Sequence, residues 1–197
     1  MERAMVTRRS FLYSAAAAIA ARELGIEPAL AGDLPAEQQV KIALYDSRFS
    51  AARDFGDEAA AHGLRTFGFA NDMSRLWRRT LAPTLRERPQ AIAGLTHVGA
   101  LFCLERMAWD LGMRVMLRIE HFEDQGGNCR HIAAAGIPAA MTGLPDAGGA
   151  SYGRQAAGFA VASRPAWRDC THAAPARAAG QTGDPLATWV IAPVRRA

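Results

Sequence analysis

The chain has 197 residues, 50% of them hydrophobic, and it carries a formal net charge of +4. This length suits one domain with a genuine core and is too short for two comfortable ones. Lys41 is the only lysine, so arginine supplies almost all of the positive charge. No basic tract with interleaved aromatic residues accompanies that charge, so the sequence makes no case for nucleic acid as a partner.

The N-terminus combines three features in a fixed order. Thr7 precedes the pair Arg8 and Arg9, and Phe11 and Leu12 follow after one intervening residue. An alanine-rich, weakly apolar segment covers residues 14–21, and residues 29–31 offer a small-x-small cleavage site. This order resembles a twin-arginine (Tat) export signal peptide over residues 1–31, although the consensus often continues with lysine where Tyr13 stands.

The resemblance implies a bacterial protein that folds in the cytoplasm and is carried by the Tat translocase to the periplasm. Such a protein either holds a cofactor or travels with, or acts alongside, an exported redox enzyme. Charged residues interrupt the apolar run, which is far shorter than the roughly 20 residues that span a bilayer. We therefore predict no permanent membrane anchor, a polar linker over residues 32–39, and a single α/β domain over residues 40–197.

Strand and helix patterns alternate through the first part of that domain. The predicted strands are residues 40–45, 64–70, 91–95 and 113–121, and the predicted helices are residues 50–62, 75–88 and 98–111. Gly63 and Gly112 mark helix ends, and Pro83 is expected to kink or break the second helix. In the third helix Leu101, Leu104 and Ala108 share one face, which is expected to lie on the sheet.

The alternation ends after residue 122, where a turn-rich cluster precedes a predicted antiparallel strand at residues 129–134. Residues 136–150 are predicted to form a surface loop, residues 151–163 a helix, and residues 186–194 a last strand packed through Trp189, Val190 and Ile191. The fold class is therefore α/β, with an open, mostly parallel sheet, helices on both faces and an antiparallel C-terminal part.

Polar residues follow the predicted parallel strands, and ligands of open α/β sheets bind beyond these strand ends. The candidate ligand-binding residues are Asp46, Ser47, Thr96, His97, Glu120 and His121. A divalent metal is a possible cofactor, and it could be held by Asp46, His97 and His121. We expect both histidine rings to face the same pocket as the Asp46 carboxylate. The alternative is that these residues cap helices or face solvent.

The three cysteines leave one thiol over if a disulfide forms. Cys103 lies within a predicted helix and is expected to be a small core residue, which leaves Cys129 and Cys170 as the candidate disulfide pair. Each of these two cysteines also stands two residues before a histidine, His131 or His172, so a zinc site or two free thiols are the alternatives.

The sequence contains no nucleophile elbow, Walker loop, dinucleotide-binding glycine motif, His-Glu-x-x-His or Cys-x-x-Cys. Two functions of different classes follow. The first is a ligand-binding or partner-binding accessory to an exported redox enzyme, without chemistry of its own. The second is a metal-assisted periplasmic enzyme whose site lies at the strand ends, where Asp46, His97 and His121 would surround the ion.

Overall fold

A computed structural model of the chain describes residues 39–123, 129–135, 150–162 and 185–194. The strands are β1 (Val40–Asp46), β2 (Arg65–Phe69), β3 (Ala91–His97), β4 (Met113–Glu123), β5 (Cys129–Ala135) and β6 (Leu186–Pro193). The helices are α1 (Ser50–Ala61), α2 (Met73–Leu76), a π-helical turn (Trp77–Leu81), α3 (Ala82–Glu87), α4 (Val98–Trp109) and α5 (Ala150–Ala162).

The described strands form one six-stranded sheet in the order β2-β1-β3-β6-β4-β5. The strand β1 pairs in parallel with β2 and β3, whereas β6 runs antiparallel to both β3 and β4, and β5 runs antiparallel to β4. The first four strands consequently all point the same way, and their carboxyl ends lie at one edge of the sheet. The predicted α/β class, with its antiparallel C-terminal part, is confirmed.

Helices cover both faces of this sheet. One hydrophobic cluster joins α1 and α5 to the sheet, and we call this side the α1 face. A second cluster joins α2, the π turn, α3 and α4 to the opposite side, which we call the α4 face. Because α1 and α4 leave β1 and β3 toward opposite faces, the edge between these two strands is the topological switch point where such sheets bind ligands.

The helices follow the predicted pattern. Leu101, Leu104 and Ala108 of α4 are buried, and Gly63 and Gly112 end their helices with φ of 80° and 69°. Pro83 lies in the first turn of α3, and helical backbone runs on from α2 through the π turn into α3, so the proline does not break the helix. A proline has no N–H and its ring collides with the preceding helical turn, which the wider π turn accommodates.

Two glycines permit close packing at the centre of the fold. A Cβ atom on Gly94 of β3 would collide with the indole of Trp189 and lie 2.7 Å from the Leu44 carbonyl oxygen. A Cβ atom on Gly153 of α5 would collide with the Ala51 carbonyl oxygen of α1. The first glycine lets the Trp189 ring lie flat across β3, and the second sets the contact between α1 and α5 on the α1 face.

Candidate functional site

The loop from β1 into α1 forms one wall of the switch point. The buried carboxylate of Asp46 accepts two hydrogen bonds from the Arg48 guanidinium, at 2.9 Å from Nε and 2.6 Å from Nη2. These hydrogen bonds are the largest influence on Arg48 and raise the pKa of its guanidinium above the usual value. Arg48 is therefore a permanent cation held in a fixed orientation, and 46% of its side chain remains exposed.

The same loop is tied to its neighbours by further hydrogen bonds. The Ser47 hydroxyl donates to the Phe69 carbonyl oxygen at the end of β2, at 3.1 Å. Arg53 is exposed and donates from Nη1 to the Ser47 carbonyl oxygen at 2.6 Å. That acceptor is neutral, and within the described residues Arg53 forms no ion pair with a carboxylate. The loop and the first turn of α1 together carry two cations, Arg48 and Arg53, and two anions, Asp46 and Asp54.

His97 stands at the end of β3 and begins α4. Its Nδ1 accepts the backbone N–H of Gly99 at 3.1 Å, so its side chain caps the helix in the way that serine or aspartate usually does. The His97 ring also stacks on Phe49, with centroids 6.4 Å apart and planes 11° apart. The Arg48 guanidinium also lies over the Phe49 ring, 5.4 Å from its centroid.

His121 lies elsewhere on the edge because β6 separates β3 from β4. Both His97 and His121 pair in register with Leu186 of β6. Their Cα atoms are consequently separated by two strand spacings, roughly 10 Å. His121 is buried on the α1 face, where its Nε2 lies 2.7 Å from the Thr188 hydroxyl and its ring lies 5.1 Å from that of Tyr152 on α5.

The remaining two candidates are buried on the opposite, α4 face. The Thr96 hydroxyl accepts the indole N–H of Trp189 at 3.0 Å, and neither residue has any exposed surface. Glu120 is 5% exposed and accepts two hydrogen bonds from Arg118, at 2.9 and 2.5 Å. Both side chains therefore fill structural roles within the sheet.

The six predicted residues thus share one edge of the sheet but not one pocket. Alternation along β1 places Asp46 on the α4 face, whereas register places His97 and His121 on the α1 face. Across the residues that the structure describes, no three His, Cys, Asp or Glu side chains form a group that could hold a metal ion. The expected common pocket of Asp46, His97 and His121 is not formed, because Asp46 lies on the opposite face and β6 lies between the strands of the two histidines.

The cysteine predictions have different outcomes. Cys103 was expected in the core, but it is exposed and free on the outer side of α4. The helical periodicity that buries Leu101 and Leu104 turns residue 103 outward, which corrects that expectation. Cys170 and His172 lie outside the described residues, as does the loop at 136–149, and β5 contributes only its backbone here. The disulfide and the zinc alternatives therefore stay predictions.

Several residues of the edge were not identified from the sequence. These residues are Arg48, Phe49 and Arg53, which follow the end of β1 by two to seven positions rather than directly. Two arginines and an aromatic residue close together after a predicted strand could have indicated a binding site. Thr188 could not be found, because its place depends on β6 lying between β3 and β4. Comparisons with protein-family models, curated proteins and solved structures found no match to this chain.

Proposed function

We propose that the protein acts by binding rather than by catalysis, as an exported accessory to a redox enzyme. The observation that carries this proposal is that three candidate catalytic groups are each hydrogen-bonded to a neighbouring side chain. Arg48 holds Asp46, Trp189 holds the Thr96 hydroxyl, and Arg118 holds Glu120. A general base or nucleophile must reach its substrate, and these buried side chains are committed to neighbours inside the fold. The same commitments weaken the metal-assisted alternative.

The chemistry of the edge favours an anionic ligand. Arg48 and Arg53 are exposed at the outer side of this loop, whereas the Asp46 carboxylate is buried beneath Arg48. The N-terminus of α1 begins in the same loop, and no side chain caps its first N–H groups. Helix N-termini and arginine side chains both bind phosphate or carboxylate groups. We therefore assign the outer side of the loop from β1 to α1 as a site for one phosphate or carboxylate group.

Titration calorimetry with inorganic phosphate and with succinate tests this assignment. Arg53→Gln should weaken binding of either anion about fivefold or more, since it removes a cation without exposing the buried Asp46 carboxylate. The matched control is Arg65→Gln, because Arg65 is also exposed but lies on the outermost strand β2. Equal affinities of Arg53→Gln and the parent protein would remove the anion site.

The export part of the proposal comes from the resemblance of residues 1–31 to a Tat signal. In the part of the chain that the structure describes, no helix is long and apolar enough to cross a membrane. Replacing Arg8 and Arg9 together by lysine should leave the precursor in the cytoplasm. Fractionation of cells followed by immunoblotting measures this, and Arg22→Lys is the matched control. Normal appearance of the double variant in the periplasm, with its N-terminus removed, would show that these residues are not a Tat signal.

A further inference from the structure

The outer side of α4 carries a row of alternating aromatic and arginine side chains. The Arg106 guanidinium lies 5.2 Å from the centroid of Phe102 and 4.2 Å from that of Trp109. The Arg114 guanidinium lies 5.2 Å from the same Trp109 ring. Residues 102, 106 and 109 fall on one side of the helix because of its 3.6-residue period. We call Phe102, Arg106, Trp109 and Arg114 the aromatic–arginine stripe.

Exposed hydrophobic surface is concentrated at this stripe. The large hydrophobic side chains exposed in the described part of the protein are Phe102, Trp109 and Val194, at 56, 39 and 37%. The Val194 N–H donates to the Gly112 carbonyl oxygen, and the Gly112 N–H donates to that of Trp109, each at 2.9 Å. Val194 therefore lies beside the C-terminal end of the stripe. Grouped exposure of this kind marks interaction surfaces, whereas single exposed apolar residues are ordinary.

Neither arginine of the stripe forms an ion pair within the described part of the chain, although two acids, Glu105 and Asp110, stand close to Arg106 in sequence. The Arg106 guanidinium lies over the rings of Phe102 and Trp109 instead. Arg114 donates to the neutral Met113 carbonyl oxygen at 2.8 Å. A guanidinium stacked flat on an aromatic ring keeps N–H groups at its edge for carboxylates. The stripe thus offers two apolar anchors with a cation beside each.

We propose that this stripe is the docking surface for an acidic segment of the partner protein. Apolar side chains of that segment would cover Phe102 and Trp109, and its carboxylates would pair with Arg106 and Arg114. The inference rests on the proposed accessory role, since it supplies the surface and the partner chemistry that this role requires. Aromatic residues and arginine are the residue types enriched at protein interfaces and at their energetic centres.

A protein segment fits this surface better than an anionic membrane. Membrane-binding basic clusters use four to eight cations, whereas the stripe has two. Glu105 and Asp110 flank the stripe on the same helix and would be repelled by anionic headgroups. A folded partner can place its carboxylates on the arginines and away from those two acids. Charge complementarity therefore selects an acidic peptide surface.

The test uses the full chain and a fluorescein-labelled peptide made of repeated Glu-Leu-Trp-Asp-Gly units. Fluorescence anisotropy should show saturable binding that is weakened by salt. A matched peptide with Gln and Asn in place of Glu and Asp should bind about tenfold more weakly or worse. Absence of binding, or equal binding of the neutral peptide, overturns the inference.

Variants of the stripe locate the binding. Arg106→Gln and Trp109→Ala should each weaken the acidic peptide about tenfold without changing the circular dichroism spectrum, since both side chains are exposed. Arg65→Gln is the control, because Arg65 stacks on the Phe67 ring in the same manner, 4.8 Å from its centroid, on another part of the surface. Equal losses for Arg65→Gln and Arg106→Gln would show a general charge effect and would overturn the assignment.

Two further measurements separate other occupants. The protein could bind phosphatidylglycerol vesicles but not the peptide, and lose the vesicle binding in Trp109→Ala. That outcome would overturn the proposal and identify a membrane as the occupant of the stripe. Analytical ultracentrifugation could instead show a dimer that dissociates in Trp109→Ala. That outcome would overturn the proposal and identify a second copy of the chain as the occupant. Phosphate binding and export do not involve the stripe. A failed peptide experiment with both of these intact therefore overturns only this inference. Normal export of the variant that carries lysine at positions 8 and 9 would instead refute the exported accessory role itself.

Discussion

Thr96→Val separates a structural threonine from a ligand-binding one. The substitution replaces the hydroxyl by a methyl group of similar size, so packing against the sheet changes little. It leaves the indole N–H of Trp189, which donates to the Thr96 hydroxyl at 3.0 Å, without its acceptor. Both residues have 0% exposure, so water cannot replace the lost hydrogen bond. We expect a loss of folding stability and no change in binding of phosphate.

The magnitude follows from the cost of an unsatisfied buried donor, which is about 1–3 kcal/mol. For a chain of this length, each kcal/mol lowers the melting temperature by about 2–4 °C. A middle value of about 2 kcal/mol therefore corresponds to a decrease of about 4–8 °C. Differential scanning calorimetry measures this decrease, and urea unfolding monitored by tryptophan fluorescence gives the change in free energy of unfolding.

A double-mutant cycle isolates the hydrogen bond from the packing of Trp189. Trp189→Phe removes the donor and also leaves a cavity, so its own cost is large. In the double variant both side chains are apolar, so no buried donor lacks an acceptor. Its loss of stability should therefore be smaller than the sum of the two single losses by about 1 kcal/mol. An unchanged melting temperature of Thr96→Val together with lost phosphate binding would refute the structural role and restore Thr96 to the ligand site.

Three further predictions concern other residues. Gly153→Ala should destabilise the protein by about 1–3 kcal/mol, because its Cβ atom would collide with the Ala51 carbonyl oxygen; a urea midpoint equal to that of Gly158→Ala, where space is open, would contradict this. His97→Ala should cost about 0.5–2 kcal/mol through loss of the α4 cap, and His97→Asn should restore most of that stability in the same thermal melts. Cys103 is exposed, so a maleimide should modify it at the same rate in the folded protein and in urea. Mass spectrometry measures the rate, and a slower reaction in the folded protein would show that Cys103 is covered.

The sequence predicted most of the fold because local signals and packing agree over residues 40–123. Periodicity placed Leu101 and Leu104 on the sheet, and a positive φ at Gly112 ended their helix as expected. The position of β6 between β3 and β4 could not be predicted. Its pairing depends on contacts between residues about 90 positions apart, such as Gly94 with Trp189, which no local pattern encodes.

The candidate site was predicted in its location but not in its geometry. Strand direction correctly placed Asp46, His97 and His121 at one edge. Two of these side chains have local partners, and the third has a partner that is distant in sequence. Asp46 is hydrogen-bonded to Arg48, two residues away, whereas His121 is hydrogen-bonded to Thr188, 67 positions away. An interaction within one loop was within reach of sequence reasoning, but the second required the strand order.

The most direct test of binding at the switch point is a nuclear magnetic resonance titration of the full chain with inorganic phosphate. We expect amide signals at the start of α1, Ser50 above all, and the side-chain Nε–H signals of Arg48 and Arg53 to shift in a saturable manner. Signals of Thr188 and of the Trp189 indole should stay in place. Saturable shifts at His121 and Thr188 with none at Ser50 would contradict an anion site in this loop, as would the absence of any saturable shift.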